Sequence, residues 1–292
     1  MRCARILVCC GLLLAPARPV PGADPPRPLR VVTYNVLHGG FGLRGDGQHL
    51  EERLAMAIDA LRGLDVDLIG LQEASSGRRR GDVAGRLAAA LGLHHVRAPA
   101  GYRWMGRLAS WAMGFDEGPA VLSRFPIVAW DVVPVNACDR WYGRVLLCAT
   151  LDTPRGPLDA CSAHTGSSTC QLRSLTRVLQ ERRGRAPLIL MADLNSTPDT
   201  SGVKRLLVDA GLVDTFRTAN PDAPGFTVWQ PVRAAAPAAR RRVDYVLVAP
   251  GPGAPVHVRA SRVILDRPGR GADGKVLWPS DHYGVLSEVE VF

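Results

Sequence analysis

Lysine is almost missing from this sequence: Lys204 and Lys275 are the two lysines among 36 Lys and Arg residues. Long apolar runs are missing too. The clearest one, Ile6–Ala15, is too short to span a bilayer, which excludes a multi-span membrane protein. No Cys-x-x-Cys pair occurs, which argues against a thiolate metal site. No repeat of fixed period occurs. With 47% hydrophobic and 22% charged residues, the chain is neither a disordered tail nor a fibre.

What is present begins with arginine, which makes up nearly all the basic residues behind a net charge of +9. Its planar fork matches phosphate bidentately and points to an anionic substrate. Taken alone, the excess is explained better by codon bias in an Arg- and Ala-rich genome, so placement matters more than amount. The 292 residues suit one large domain with a sizeable core, and no internal linker divides them.

Arg2 and Arg5, the apolar run and Ala15-Pro16-Ala17 together read as a secretory signal. Residues 1–23 are therefore expected to be a signal peptide and the start of a Pro-rich leader. Cleavage leaves a mature charge of about +6 and an exported protein, hence a secreted localisation. It also leaves Cys138, Cys148, Cys161 and Cys170, an even set that reads as two disulfides. A hairpin about Thr153–Gly156 would pair Cys148 with Cys161, and Cys138 with Cys170. The pairing Cys138–Cys148 with Cys161–Cys170 fits as well.

Ten strand-like runs, from Val31–Val36 to Tyr283–Val291, alternate with helical runs at His49–Arg62, Asp82–Leu91, Cys170–Arg182 and Thr200–Ala210. Hairpin-like pairs beside helix crossovers predict an α/β (α+β) fold with mixed sheets. Polar residues close the strands repeatedly. VVTYN ends in Asn35, VDLIGLQE in Glu73, LDACSAH in His164, and LILMADLN in Asp193 and Asn195. Asp244 opens RRVDYVLV, and Asp281-His282 introduces the last strand. One such ending is turn chemistry; six suggest a site. Carboxylates and amides suit a hard cation, and histidines move protons near neutral pH.

TYNVLHG, GLQEA, EGPAVLSRFPI, SAHT, LMADLNSTP, RRVDYVLV and WPSDHYGV occur in the order found in the endonuclease/exonuclease/phosphatase superfamily. The chain resembles these DNase-like metallophosphoesterases from about residue 30 to 292. The resemblance implies two packed mixed β-sheets flanked by helices, a DNase-like four-layer sandwich. It implies that Glu73, with Asn35 and Asp281, holds a divalent cation, Mg²⁺ or Mn²⁺. Asp193 and Asn195 would activate water or serve a second metal position. His282 oriented by Asp244, and His164 oriented by Glu117, would form two acid/base or phosphate-binding pairs, each favouring imidazolium. Glu117 also reads as part of a solvated turn, Asp116–Gly118. His38, His49, His94, His95 and His257 have no partner motif.

The implied function is a secreted, metal-dependent phosphoric ester hydrolase, first of all a phosphodiesterase or nuclease. A sphingomyelinase-like or inositol-phosphatase-like enzyme is the alternative. A non-catalytic module of the same fold is disfavoured, because every motif position carries a usable residue. Nucleic acid is the favoured partner and phospholipid the second, with no obligate protein partner and a monomeric state. Arg78–Arg80 and Arg240–Arg242 are expected at the rim of the site. Tyr102, Trp104, Trp111 and Phe115, interleaved with Arg103 and Arg107, suit base stacking, lipid contact or core plugging.

Overall fold

The structure, a computed structural model, describes residues 27–38, 48–100, 112, 114–135, 143–253 and 255–292. The expected signal at 1–23 lies outside them, as do Tyr102, Arg103, Trp104, Arg107, Trp111 and Cys138. No helix among the described residues is long and apolar enough to cross a membrane.

In chain order the first elements are β1 (Leu29–Asn35), α1 (Leu50–Arg62), β2 (Leu68–Gln72), β3 (Ser76–Gly77), β4 (Gly81–Asp82), α2 (Val83–Leu91), β5 (His94–Arg97) and β6 (Ala120–Ser123). There follow β7 (Ile127–Pro134), β8 (Val145–Thr153), β9 (Gly156–His164), α3 (Thr169–Arg182), β10 (Leu188–Asp193) and α4 (Ser201–Asp209). The last are β11 (Val213–Asp214), α5 (Thr215–Ala219), β12 (Asp244–Ala249), β13 (His257–Ile264), β14 (Gly269–Arg270), β15 (Val276–Leu277) and β16 (Gly284–Glu290).

Two six-stranded mixed sheets result. The first has the order β13-β16-β1-β2-β6-β5 and the second β11-β12-β10-β9-β8-β7. The period-two alternation of the strands sorts their side chains into three cores. Val31, Leu68, Ile189, Met191, Val246 and Val285 fill the space between the sheets. Val32, Ile69 and Leu71 face α1 and α2, where Leu54, Ala57 and Leu61 form the helix stripe. Leu190, Tyr245 and Leu247 face Leu172, Leu175, Val203 and Leu206 of α3 and α4. The layering is helix, sheet, sheet, helix, as the family resemblance implies.

The sheets approach closely at Gly70 of β2 and Met191 of β10. A Cβ on Gly70 would lie 2.3 Å from that of Met191, so glycine is what permits the contact. Two residues on, the buried Gln72 donates across the gap to Ser162 Oγ at 3.3 Å and Met191 O at 3.2 Å. Cys148 lies opposite Cys161 in the β8–β9 hairpin and is bonded to it, which selects the hairpin pairing over its rival. Cys170 is also disulfide-bonded.

Candidate active site

Strand register gathers the polar strand ends at one edge of the sandwich. Asp193 lies opposite His164 across the parallel β9–β10 pair and opposite Asp244 across the antiparallel β10–β12 pair. Asn35 closes β1, and Glu73 follows β2 directly. Asn35 Nδ2 donates to Glu73 Oε1 at 3.2 Å and to Asp193 Oδ2 at 3.0 Å, so one amide links the two sheets. Its Oδ1 accepts from the Leu37 N–H at 3.0 Å. In this arrangement Asn35 turns its NH₂ toward the two acids and clamps them. Glu73 and Asn195 both hold left-handed backbone, φ 55° and 48°. Such strain in a non-glycine residue marks a position held by its surroundings; the Asn195 N–H is held by Asp193 Oδ1 at 2.8 Å.

The two expected histidine pairs differ. His282 Nδ1 donates to Asp244 Oδ2 at 3.0 Å, and its Nε2 lies 3.7 Å from Asp193 Oδ2. Burial opposes charge on His282, but Asp244 and then Asp193 outweigh it and hold the imidazolium well above its ordinary pKa. The Glu117–His164 pair is not formed. The carboxylate of Glu117 is buried 3.7 Å from Arg144 Nη1. His164 Nε2 instead meets Asn195 Nδ2 at 2.9 Å, and the same amide donates to Thr165 O at 2.9 Å. The Thr165 carbonyl can only accept, so the amide presents NH₂ and His164 Nε2 accepts, placing the proton on Nδ1. Burial first, then the charge of Arg144, holds this histidine well below its usual pKa. His164 is neutral, not the imidazolium expected.

Asp193 is pushed up to about 7 by burial and by Asp244, against the pull of His282 and the Asn35 amide. Burial also raises Glu73, but His38, the Asn35 hydrogen bond and His282 overcome it and leave the carboxylate below its ordinary value. Asp281 is raised, by burial first and then by the negative charge of Glu73. His38 is the residue the sequence reading missed. Its N–H donates to Glu73 Oε2 at 3.2 Å and its ring Nε2 lies 3.6 Å from the same atom. Its signal was its place in TYNVLHG, three residues past Asn35.

The rim holds fewer arginines than expected. Arg80 is buried over the Phe115 ring, and Phe115 itself is core. Arg242 is buried in a bidentate pair with Asp214, at 3.0 and 2.6 Å, between the rings of Phe216 and Tyr245. Arg240 and Arg241 are exposed, and their N–H groups both donate to Val228 O at 2.9 Å. Val228 also pairs with His282, and Gln230 N donates to Asp281 O at 2.8 Å. Between them stands Trp229, 63% exposed.

The family model described as Endonuclease/Exonuclease/phosphatase family matches residues 32–282, most of the chain. The chain belongs to this family. Members of the endonuclease/exonuclease/phosphatase family hydrolyse phosphoester bonds and generally depend on a divalent metal. No curated protein matches the chain by sequence. Among solved structures it is similar to the human Nocturnin catalytic domain with bound sulfate, with a TM-score of 0.68 and 20% identity over 91% of this chain and 94% of that one. The mannosyl-6-phosphatase of Bacteroides thetaiotaomicron is similar at TM-score 0.67 and 19% identity, covering 90% and 99%. A family protein from Beutenbergia cavernae is similar at 0.66 and 23%, covering 91% and 72%.

The donor chemistry fits a divalent cation at two places. Glu73 and Asp281 offer hard oxygen donors and raise the cost of each other's charge, which a cation offsets. Asp193, Asp244 and His282 also bring ligand atoms within 4.8 Å of one another. There a cation would compete with the proton that His282 shares with Asp244.

Proposed function

We propose that the chain is a secreted, divalent-metal-dependent phosphodiesterase acting on nucleic acid. One observation carries the reading: an imidazolium braced by Asp244 and a carboxylate of raised pKa, Asp193, stand 3.7 Å apart beside the acids Glu73 and Asp281. Glu73 and Asp281 would hold Mg²⁺ or Mn²⁺, which supplies Lewis-acid stabilisation of charge on the phosphoryl oxygens. Asp193 Oδ2 takes the proton of the attacking water; a carboxylate tuned toward neutrality suits that task. As the water oxygen bonds to phosphorus the P–O bond to the leaving group breaks, and His282 gives its Nε2–H to that leaving oxygen, while Asp244 keeps Nδ1–H fixed and the ring aligned. Asn35 holds Glu73 and Asp193 in register, and Asn195 holds His164 in one tautomer.

Trp229, with Arg240 and Arg241, supports nucleic acid as substrate, because an exposed ring stacks on bases while guanidinium groups hold phosphates. The signal-like start of the sequence supports secretion. The likeness to a mannosyl-6-phosphatase supports including a sugar phosphate among the substrates tested. The mature protein is incubated with Mg²⁺ or Mn²⁺, with and without chelator, on plasmid DNA, RNA, sphingomyelin vesicles, mannose 6-phosphate and a chromogenic phosphodiester. Plasmid or RNA cleavage that chelator abolishes is expected. Glu73→Gln should lose at least about 10²-fold in rate while its unfolding midpoint holds. Full activity in that variant, or turnover of sphingomyelin alone, would overturn the reading.

A further inference from the structure

We propose that Arg53 of α1 is a positioning residue of the active site, tying together the chain segments that present His38 and Asp281 and so setting the spacing of the cation-holding oxygens. Arg53 is 1% exposed. Its Nε donates to Gln48 O at 2.8 Å, its Nη1 to Val36 O at 2.8 Å and Pro279 O at 3.1 Å, and its Nη2 to Leu37 O at 2.8 Å. Val36 and Leu37 connect Asn35 to His38, whose N–H holds Glu73. Pro279 leads into Ser280-Asp281, and Ser280 Oγ donates to Asn35 O at 2.7 Å. Two cross-links therefore join the same loops, one of them cationic.

A planar fork with five donors can serve four carbonyls approaching from three segments; a lysine ammonium has three donors and no plane. The expense of this arrangement is informative. Burial works against the charge of Arg53, and the acids Asp281 and Glu73 are among the groups that sustain it. A purely structural tie is served at lower cost by neutral groups, since an isolated buried charge is expensive. The cation therefore belongs to the site it borders. Its own place is fixed by Leu54 and Leu61, which anchor α1 in the core.

The inference rests on the proposed function, and the test separates the two. Mn²⁺ affinity by calorimetry, thermal unfolding and phosphodiester turnover are measured for wild type, Arg53→Lys and Leu61→Ala. Leu61→Ala loses stability in the same helix without touching the site. Arg53→Lys is expected to fold, to bind Mn²⁺ about 10- to 100-fold more weakly, and to regain rate as Mn²⁺ is raised. Leu61→Ala is expected to melt earlier with unchanged Mn²⁺ affinity. Overturning results are Arg53→Lys that does not fold, Arg53→Lys with wild-type Mn²⁺ affinity, or equal loss of affinity in Leu61→Ala. A wild type that binds no Mn²⁺ and hydrolyses nothing would remove the functional reading itself, and this inference with it.

Discussion

His164 and His282 stand at the same edge of the sandwich, both buried, with Nε2 atoms 3.5 and 3.7 Å from the same Asp193 Oδ2. They carry opposite charge states. Burial pushes both toward neutrality, so burial does not separate them, and neither does distance to Asp193. The difference is in the charges around each ring: Arg144 and other cations face His164, and a carboxylate sits at the second nitrogen of His282. His282 Nδ1 meets Asp244, while His164 Nδ1 has no hydrogen-bond partner among the described residues. A carboxylate behind the ring favours the cation, while its absence beside an arginine leaves a buried imidazole a neutral acceptor.

The largest effect should come from making His282 resemble His164. Asp244→Asn keeps the shape but withdraws the charge behind the ring, and kcat should fall about 10³- to 10⁴-fold. Its alkaline limb should move to lower pH, because the proton of His282 is no longer held. Near wild-type rates would break the comparison. Asp193→Asn should cost less, about 10²- to 10³-fold. In wild type kcat/KM should rise with pH as Asp193 loses its raised proton, then fall as His282 loses its own. Asp193→Asn should erase the acid limb and move the alkaline one to lower pH by less than Asp244→Asn does, because Asp193 is the second carboxylate holding the His282 proton. An acid limb that persists would assign the base elsewhere.

The two histidine environments also mark where the sequence stops being legible. Strand ends read well, because period-two patterns and polar terminators are local; Asp193, Asp244 and Asp281-His282 all lie where LILMADLN, RRVDYVLV and SDH put them. Helix boundaries at α1 to α4 agree to within a residue or so for the same reason. Partners across space do not read well. Glu117 stands in a family-like motif, yet its carboxylate faces Arg144, a residue 27 positions away that its own turn does not announce. Arg80 and Arg242 sit in arginine triplets expected at the rim of the site, and a ring and an aspartate fix them inside. Short polar β5, His94–Arg97, gives no alternation at all and was not expected as a strand. Arg53 looked like any helix arginine, since the carbonyls it serves come from residues 36, 37, 48 and 279.

The smallest effect is on stability, and it has opposite signs for the two rings. His164 has a folded pKa below the unfolded value of 6.5, so its contribution is complete above that value. As pH falls below it, the unfolded chain takes up a proton that the folded chain refuses, and stability drops. His282 has a folded pKa above 6.5. Its contribution is complete below that value and is lost as pH rises through the folded pKa. Each tenfold change in proton affinity carries about 1.4 kcal/mol, or about 2–4 °C of Tm in a domain of this size. In chelator, Tm against pH should therefore slope less below neutrality in His164→Gln, and less above it in His282→Gln, than in wild type. Parallel curves for the two variants would mean that the rings share one charge state, and the contrast between them would fall.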